Sequence, residues 1–420
     1  MTTTNIGARP APTGPPLIRD HGYRLLITAT AVSKFGSSVS YLALPLVAVV
    51  ALDSSAAQVG LLTTLSTLAF LVIGLPSGAW VDRMRRRPVM ITADLMRAAL
   101  LLSVPIAWPL GILTIGQLYV VVLLSGAATV FYDVAAQSHL PQLVGREHLA
   151  RANSLLVTVD AAAQIGGRSA GGILVTVLSA PVAVVIDATS YVWSALCLLR
   201  IRRPEPMPRT TERGKLLDEI REGVRFVSGH PGLRAVAVAG ACTNLSIQLC
   251  QTMLPLLLAR DLALPGFAIG LFFATGGVGV LLGSLSARRL ARLLGAGRTL
   301  VLLGVAIAPF GITVALVDRG PALWVACAGW LVTTFKVGVD NVLKVSFRQS
   351  VTPDRLLGRM NATMRLVLTG SLAAGAALAG FLGEVFSVRA ALWTGALGLA
   401  LTWLPIACSP LRRLRDIPGL

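Results

Sequence analysis

Long apolar runs, separated by short polar loops, divide the chain from residue 24 to residue 408. Each run holds about 20 or more predominantly apolar residues, the length that an α-helix needs to cross a bilayer. The runs lack the period-two alternation of barrel strands. The pattern therefore predicts twelve transmembrane helices, numbered here as segments 1 to 12: 24–50, 56–80, 88–108, 114–137, 152–178, 181–200, 234–258, 267–287, 299–317, 322–346, 364–384 and 389–408.

The composition agrees with a membrane protein. Hydrophobic residues make up 55% of the chain, the mean hydropathy is +0.74, and only 13% of residues are charged. That charged fraction is about half the share of a soluble protein. The net charge of +18 would suit nucleic acid only if it formed a basic stripe on a soluble surface. Because the charge is divided among short loops, we expect a lipid bilayer as partner and no nucleic acid.

The distribution of basic residues predicts the orientation. The two tails and five alternate loops hold 29 lysine and arginine residues, whereas the other five loops hold three. Basic loops stay on the cytoplasmic side of a membrane. We therefore expect a multi-pass protein of the cell membrane with both termini in the cytoplasm.

The two halves of the chain repeat each other. Three pairs of residues recur at spacings of 205 to 208 positions: Gly78 with Gly283, Asp133 with Asp340, and Asn153 with Asn361. A near-constant spacing indicates duplication of a six-helix unit. Such parallel repeats place a substrate site between the halves, near the membrane midplane.

The repeat predicts five regions. The linker between the halves contains apolar residues at helical spacing, which favours an amphipathic helix on the cytoplasmic membrane face; a simple tether is the alternative. These apolar residues are Leu216, Leu217, Ile220, Val224 and Val227. The regions are a disordered cytoplasmic tail at 1–23, the N-terminal half at 24–200, the linker at 201–233, the C-terminal half at 234–409, and a cytoplasmic tail at 410–420.

A resemblance to the major facilitator superfamily is carried by the stretch Gly78-Ala-Trp-Val-Asp-Arg-Met-Arg-Arg-Arg87. The stretch Pro-Gln-Leu-Val-Gly-Arg-Glu-His-Leu-Ala-Arg-Ala-Asn-Ser-Leu from Pro141, and Gly167-Arg-Ser-Ala-Gly-Gly172, resemble its drug-efflux and siderophore-export branch, with actinobacterial members most similar. The resemblance implies an all-α membrane protein of two pseudo-symmetric six-helix halves, the major facilitator fold. It departs at Arg168, where the branch motif has proline.

The first of these stretches implies a gating motif on the cytoplasmic side. A carboxylate at the membrane edge can hold an arginine by a charge-assisted hydrogen bond that breaks when the halves rock. The alternative is anchoring by the positive-inside effect alone. The motif residues are Gly78, Asp82, Arg83, Arg86 and Arg87.

Charged residues inside the predicted helices are the sharpest functional signals, because each needs a partner or water. Lys336, Asp340 and Lys344 are spaced four apart in segment 10 and share one helix face. The resemblance implies that segments 1, 4, 7 and 10 line a central cavity. By the same resemblance, the residues expected to line this cavity are Lys34, Asp133, Asn244, Gln248 and Gln251. Alternatively, Asp133, Asp340 and Lys344 form salt bridges of a gate.

We predict that Asp340 is the coupling residue, with Lys336 as its tuner and Asp133 as the second candidate. A separate prediction concerns the two charges near the outer turn between segments 5 and 6. At 1.5 Å per residue, Arg168 lies about 15 Å and Asp187 about 9 Å from that turn. Since a tight turn joins the segments, the two residues are predicted to form an intramembrane ion pair.

The remaining signals favour transport over enzymatic chemistry. The chain has no phosphate-binding loop of the nucleotide-hydrolysing type, and its four histidines form no metal or catalytic pattern. We therefore expect no catalytic residues, no metal and no cofactor. The predicted function is export of an amphipathic small molecule, such as a drug, an antibiotic or another secondary metabolite, by a monomer that exchanges it for protons. The alternatives are a solute-importing proton symporter of the same fold and a membrane enzyme.

Overall fold

A computed structural model describes residues 20–81, 83–144, 148–201 and 216–413. Helices account for nearly all of this part of the chain. In chain order they are α1 His21–Leu46, α2 Ala56–Val81, α3 Arg86–Ala107, α4 Ile115–Val144, α5 Leu149–Leu178, α6 Ala180–Leu199, α7 Leu216–Gly229, α8 Pro231–Leu256, α9 Gly266–Leu294, α10 Ala296–Thr313, α11 Pro321–Val351, α12 Asp354–Val385, α13 Val388–Leu401 and α14 Leu404–Ala407.

The described residues form twelve spans, which match the twelve predicted transmembrane segments. Eleven are long and apolar enough to cross a membrane, counting α13 and α14 as one span. The twelfth is α5, which has 30 residues but carries Asp160 and Arg168 in its interior. Segments 1 to 6 correspond to α1 to α6, and segments 7 to 12 to α8 to α13 with α14. The predicted all-α fold with twelve spanning helices is confirmed.

The structure shows the duplication more clearly than the sequence does. α1 continues into a π-helical turn at Val47–Ala51, and α8 continues into the same kind of turn at Leu257–Asp261. The first and last residues of α1 and of its π-helical turn all recur 210 positions later, as the first and last residues of α8 and of its turn. Proline also recurs, at Pro45 and Pro255. The first helix of each half is therefore built alike, including its wide last turn.

Helices α1 to α6 pack against one another, and so do α8 to α13. The two groups meet mainly where α2 contacts α12 and where α5 contacts α9. The termini of the described chain, near His21 and Arg413, lie at the same end of the bundle because the number of spans is even. Much of the predicted tails and linker, residues 1–19, 202–215 and 414–420, lies outside the described residues.

The linker has a helix, α7, at Leu216–Gly229, where the sequence predicts one. It packs on α12 and α8. Glu222 accepts a hydrogen bond from Arg359 and lies 3.6 Å from Arg355 Nη1, both on α12. A Cβ atom at Gly223 would lie 2.7 Å from the Arg359 carbonyl oxygen, so glycine allows the close approach. The helix is thus docked on the C-terminal half.

A buried polar cluster joins four helices of the N-terminal half. Arg97 on α3 pairs with Asp94, one turn earlier on the same helix. The Arg97 guanidinium carbon lies 4.0 Å from the ring centre of Tyr191 on α6 and 4.6 Å from that of Tyr132 on α4. The Tyr191 hydroxyl lies 2.8 Å from Ser37 Oγ on α1. One guanidinium therefore holds α3, α4 and α6 together, and Tyr191 extends the cluster to α1.

Replacing Arg97 with leucine should destabilise this half strongly. The change leaves the Asp94 carboxylate buried without its cation, and breaking a buried pair in this way costs about 3–5 kcal/mol. We expect a clearly lower unfolding temperature for the purified protein in detergent, measured by tryptophan fluorescence. The control is Met96→Ala on the same helix, because the Met96 side chain is exposed. Equal unfolding temperatures for Arg97→Leu and Met96→Ala would contradict a structural role.

Candidate functional site

The two halves touch closely at one end of the bundle, through glycines of α5 and α9. A Cβ atom at Gly270 would lie 2.8 Å from the Cα atom of Gly172, and one at Gly266 would lie 2.9 Å from the Gly172 carbonyl oxygen. Backbones approach this closely only where side chains are absent. The Phe267 amide also donates to Thr176 Oγ1 at 2.7 Å.

The equivalent pair α2 and α12 touches in the same way at the same end. A Cβ atom at Gly380 would lie 3.0 Å from the Cα atom of Gly60. Nearby, Arg260 donates to Asp53 Oδ1 and to the Ser54 carbonyl oxygen, both at 2.7 Å, and so ties the second π-helical turn to the loop that follows the first. These contacts close the space between the halves here. We call this the closed end.

At the opposite end the halves separate. α2 and α12 touch at Gly60 and Gly380, but further along they flank a cavity of about 340 Å³. A Cβ atom at Gly74 would meet nothing within 4 Å. The cavity is lined by Phe70, Leu71 and Gly74 of α2 and by Asn361, Arg365 and Thr369 of α12, among others. The space between the halves therefore opens toward the end that bears both termini, which we call the open end.

A polar layer lies between the closed end and this opening. The Tyr41 hydroxyl on α1 donates to Gln251 Oε1 on α8 at 2.6 Å, which bridges the two halves. The Arg168 guanidinium carbon on α5 lies 4.6 Å from the centre of the Tyr41 ring. We refer to Tyr41, Arg168 and Gln251 as the floor of the space between the halves. Each lies about ten residues from the closed end of its helix, so the floor is about 15 Å deep.

Two charges lie above the floor, on the side of the opening. Lys34 Nζ on α1 is 3.9 Å from Asp160 Oδ1 on α5, and both side chains are about 40% exposed. Gln164 on α5 donates to Asp160 Oδ2 at 2.7 Å. The predicted cavity residue Lys34 therefore forms a loose, half-exposed ion pair within the N-terminal half.

The charged stripe predicted on segment 10 is a buried cluster on α11. Lys336 and Lys344 both donate to the same oxygen of Asp340, Oδ2, at 2.6 and 2.9 Å. Among the described residues, Asp340 Oδ1 has no hydrogen-bond partner. Asp340 and Lys344 line a cavity of about 60 Å³ between α8, α11 and α12. Two ammonium groups thus share one carboxylate in a pocket large enough for water.

The other predicted cavity residues take mixed positions. Asn244 lines the same 60 Å³ cavity and donates to the Leu368 carbonyl oxygen at 3.0 Å. Gln248 is buried and donates to Thr252 Oγ1 at 3.3 Å, within its own helix. Asp133 is half-buried on α4. Asn244 therefore lies beside the charged cluster, whereas Gln248 faces protein.

The predicted ion pair between Arg168 and Asp187, both described residues, is not formed. Asp187 points from α6 toward α1, where a Cβ atom at Gly36 would lie 2.8 Å from its Oδ1 atom. Arg168 points instead along α1 to the Tyr41 ring. The prediction used only the depth of each residue and the short turn. Helix α6 packs chiefly on α1 and α3, which rotates Asp187 away from α5.

Comparison with known proteins identifies the family. The sequence profile of the transmembrane secretion effector family matches residues 13–417, almost the whole chain. The protein is a member of the major facilitator superfamily. The transporter therefore shares its architecture with a large group of membrane carriers, and the resemblance noted from the Gly78 stretch is confirmed.

Characterised relatives cover the transporter from end to end. The multidrug efflux pump Tap of Mycolicibacterium fortuitum is 25% identical over 94% of this chain and 96% of its own. The enterobactin exporter EntS of Escherichia coli O1:K1 is 26% identical over 96% and 95% of the two chains. A bacterial homologue of the iron transporter ferroportin, solved in an inward-facing state, superposes with a TM-score of 0.76 at 17% identity, covering 94% of this chain and 99% of that one.

The gating motif of the transporter is only partly described. Gly78 lies in the last turn of α2, and Asp82 lies outside the described residues. Arg83 is exposed and Arg86 half-buried. Arg87 donates to the carbonyl oxygens of Leu198 and Leu199, at 2.7 and 2.5 Å. Arg87 therefore caps the C-terminal end of α6, a use of arginine that satisfies otherwise free carbonyl groups.

The floor residue Tyr41 is absent from the sequence-based predictions. A signal for it exists: Tyr41 and Gln251 are 210 positions apart, the spacing that relates α1 to α8. Equivalent residues of two repeats can meet only close to the pseudo-two-fold axis between them. The two glycine contacts are instead exchanged by this symmetry, since Gly60 corresponds to Gly270, 210 positions later, and Gly172 to Gly380, 208 positions later.

Proposed function

We propose that this transporter exports an amphipathic small molecule from the cytoplasm in exchange for protons, acting as a monomer. The observation that carries the proposal is the space between the halves, which is closed at one end by glycine contacts and open at the other. Tap and EntS, similar over their full length, are named as an efflux pump and an exporter. Their direction of transport supports export.

The basic loops support an orientation with the open end toward the cytoplasm. Among the 29 basic residues of the tails and alternate loops, those in the described part of the chain lie at the end that bears the termini. Cytoplasmic loops carry such an excess. In this orientation a substrate would load from the cytoplasm, or from the inner leaflet, onto the floor at Tyr41. The Asp82 motif would then act as a latch at the open end once the halves have rocked.

Proton coupling is proposed for the α11 cluster. Asp340 holds two lysines through one oxygen, while its second oxygen has no partner among the described residues. A proton on Asp340 would release both ammonium groups and change the charge of the 60 Å³ cavity. Binding a proton is thereby linked to a rearrangement on the helix that faces the substrate space. Asp133 remains the second candidate, at the equivalent place in α4.

Transport into everted membrane vesicles tests the function. Respiring everted vesicles have an acidic lumen, so an exporter that exchanges protons should accumulate its substrate there until a protonophore is added. The panel should contain antibiotics, dyes and siderophores. Accumulation in right-side-out vesicles instead would favour the importing symporter. Accumulation in everted vesicles that ignores the protonophore would remove protons from the mechanism.

Cysteine labelling tests the orientation. In a variant without the five native cysteines, a membrane-impermeant maleimide added to intact cells should label a cysteine at position 53 or 319. It should not label one at position 213, because position 213 lies in the most basic loop. Labelling at 213 in sealed cells would reverse the orientation and, with it, the proposed direction of loading.

A further inference from the structure

Arg168 is positioned in the space between the halves by a close helix contact. A Cβ atom at the preceding residue, Gly167, would lie 2.8 Å from the carbonyl oxygen of Phe35 on α1. This contact lays α5 against α1, so the next side chain runs over the Tyr41 ring. Since Tyr41 is bonded to Gln251 of the other half, Arg168 belongs to the layer where the halves meet.

The Arg168 guanidinium lacks an anion. Within the described part of the chain, no carboxylate oxygen lies within 4.0 Å of it, and its Nε atom is buried without a hydrogen-bond partner. An arginine presents five donors in a planar fork. A charge at this depth in a membrane protein needs a partner or water. Lys34 differs, because Asp160 lies opposite it.

The ring under Arg168 is also incompletely covered. Tyr41 is 42% exposed although its hydroxyl is bonded, so part of the ring faces open space. An aromatic group can stack on such a surface. Arginine binds carboxylates and other oxyanions through two parallel hydrogen bonds, in a geometry that lysine cannot reproduce. The floor thus combines an unpaired planar cation with an aromatic platform.

We propose that Arg168 and Tyr41 form a subsite for an aromatic substrate that bears an oxyanion, such as a carboxylate. The anionic group pairs with the guanidinium, and the aromatic ring lies on the exposed part of Tyr41. This inference rests on the proposed export function, since it names the substrate class of the same cavity. It assigns Arg168 to substrate binding, in place of the ion pair with Asp187 that the sequence predicts.

Binding of two matched probes tests the subsite. 2-Naphthoate and 2-naphthamide share one ring system and differ in a single negative charge. With the full-length protein in nanodiscs of phosphatidylcholine alone, anionic lipid headgroups cannot compete. We expect naphthoate to bind about tenfold more tightly than naphthamide, the ratio that one charge-assisted hydrogen bond supports. Arg168→Gln should abolish this ratio while leaving naphthamide binding intact, and Arg168→Lys should retain part of it.

Three results would overturn the subsite: equal affinity of the two probes for the wild type, binding of neither, or a ratio that survives Arg168→Gln. The control is Arg225→Gln, because Arg225 is exposed on α7, away from the cavity; it should leave the ratio unchanged. If vesicles exported only neutral or cationic compounds, the proposed transport function would stand and the anion subsite would not. If the ratio of naphthoate to naphthamide affinity were intact but no compound were transported, the subsite would stand and the proposed transport function would fall.

Discussion

Replacing Asp340 with asparagine should abolish transport driven by a pH gradient while leaving substrate binding and exchange intact. The amide keeps the shape of the side chain but cannot exchange a proton. In everted vesicles, accumulation of substrate should fall to the level seen with a protonophore. Exchange of labelled for unlabelled substrate, which needs no net proton movement, should continue.

The variant needs a control for folding, because it leaves Lys336 and Lys344 buried without a carboxylate. Removing one partner from a buried charged group costs several kcal/mol, about 3–5 kcal/mol in measured cases. Asp340→Asn combined with Lys344→Gln keeps the net charge of the cluster at its original value. We expect this double variant to fold better than Asp340→Asn alone, because one buried ammonium group is left without a carboxylate instead of two, and to remain uncoupled. Undiminished pH-driven transport in either variant, at equal expression, would exclude Asp340 from coupling.

The helices were predictable because their signal is local. A run of about 20 apolar residues can satisfy its backbone in lipid only as a helix. The pairing of Asp94 with Arg97 was also accessible, since residues three apart on a helix are neighbours. The same reasoning places Lys336, Asp340 and Lys344 on one face, and the structure joins all three.

Contacts between helices were less predictable, because they depend on the rotation of each helix about its own axis. Depth along α5 and α6 gave a plausible partner for Arg168, but packing of α6 on α1 turned Asp187 away. Internal symmetry supplies part of the missing information. The spacing of 210 residues relates Tyr41 to Gln251, and it indicates which residues of α1 and α8 can meet at the axis. Arg168 stacks on that pair but has no symmetry-related arginine, so its position required the structure.

Replacing Gly60 with valine should hold the closed end open. A Cβ atom at this position would lie 2.7 Å from the backbone nitrogen of Gly380 and 3.0 Å from the Ala376 carbonyl oxygen, neither of which can move as a side chain does. Overpacking of this kind costs about 1–3 kcal/mol. A penalty of that size shifts a two-state equilibrium by roughly 5- to 150-fold. In the proposed orientation, the conformation open to the cytoplasm should therefore be depleted, and export should fall strongly.

The shift in the equilibrium between the two conformations can be measured as a change in the accessibility of position 251 in the floor. In the cysteine-free background, Gln251→Cys should react slowly with an impermeant maleimide added outside the cell, and much faster once Gly60→Val is present. The control is Gly74→Val on the same helix, where an added Cβ atom meets nothing within 4 Å. It should not accelerate this labelling, because α2 and α12 are already apart at that level. If the cysteine of Gln251→Cys were labelled no faster in the Gly60→Val background than in the Gly74→Val background, the glycine contact would be ordinary helix packing. The closed end would then have to be sealed by other groups, of which the contacts of Arg260 with Asp53 and Ser54 are the next to remove.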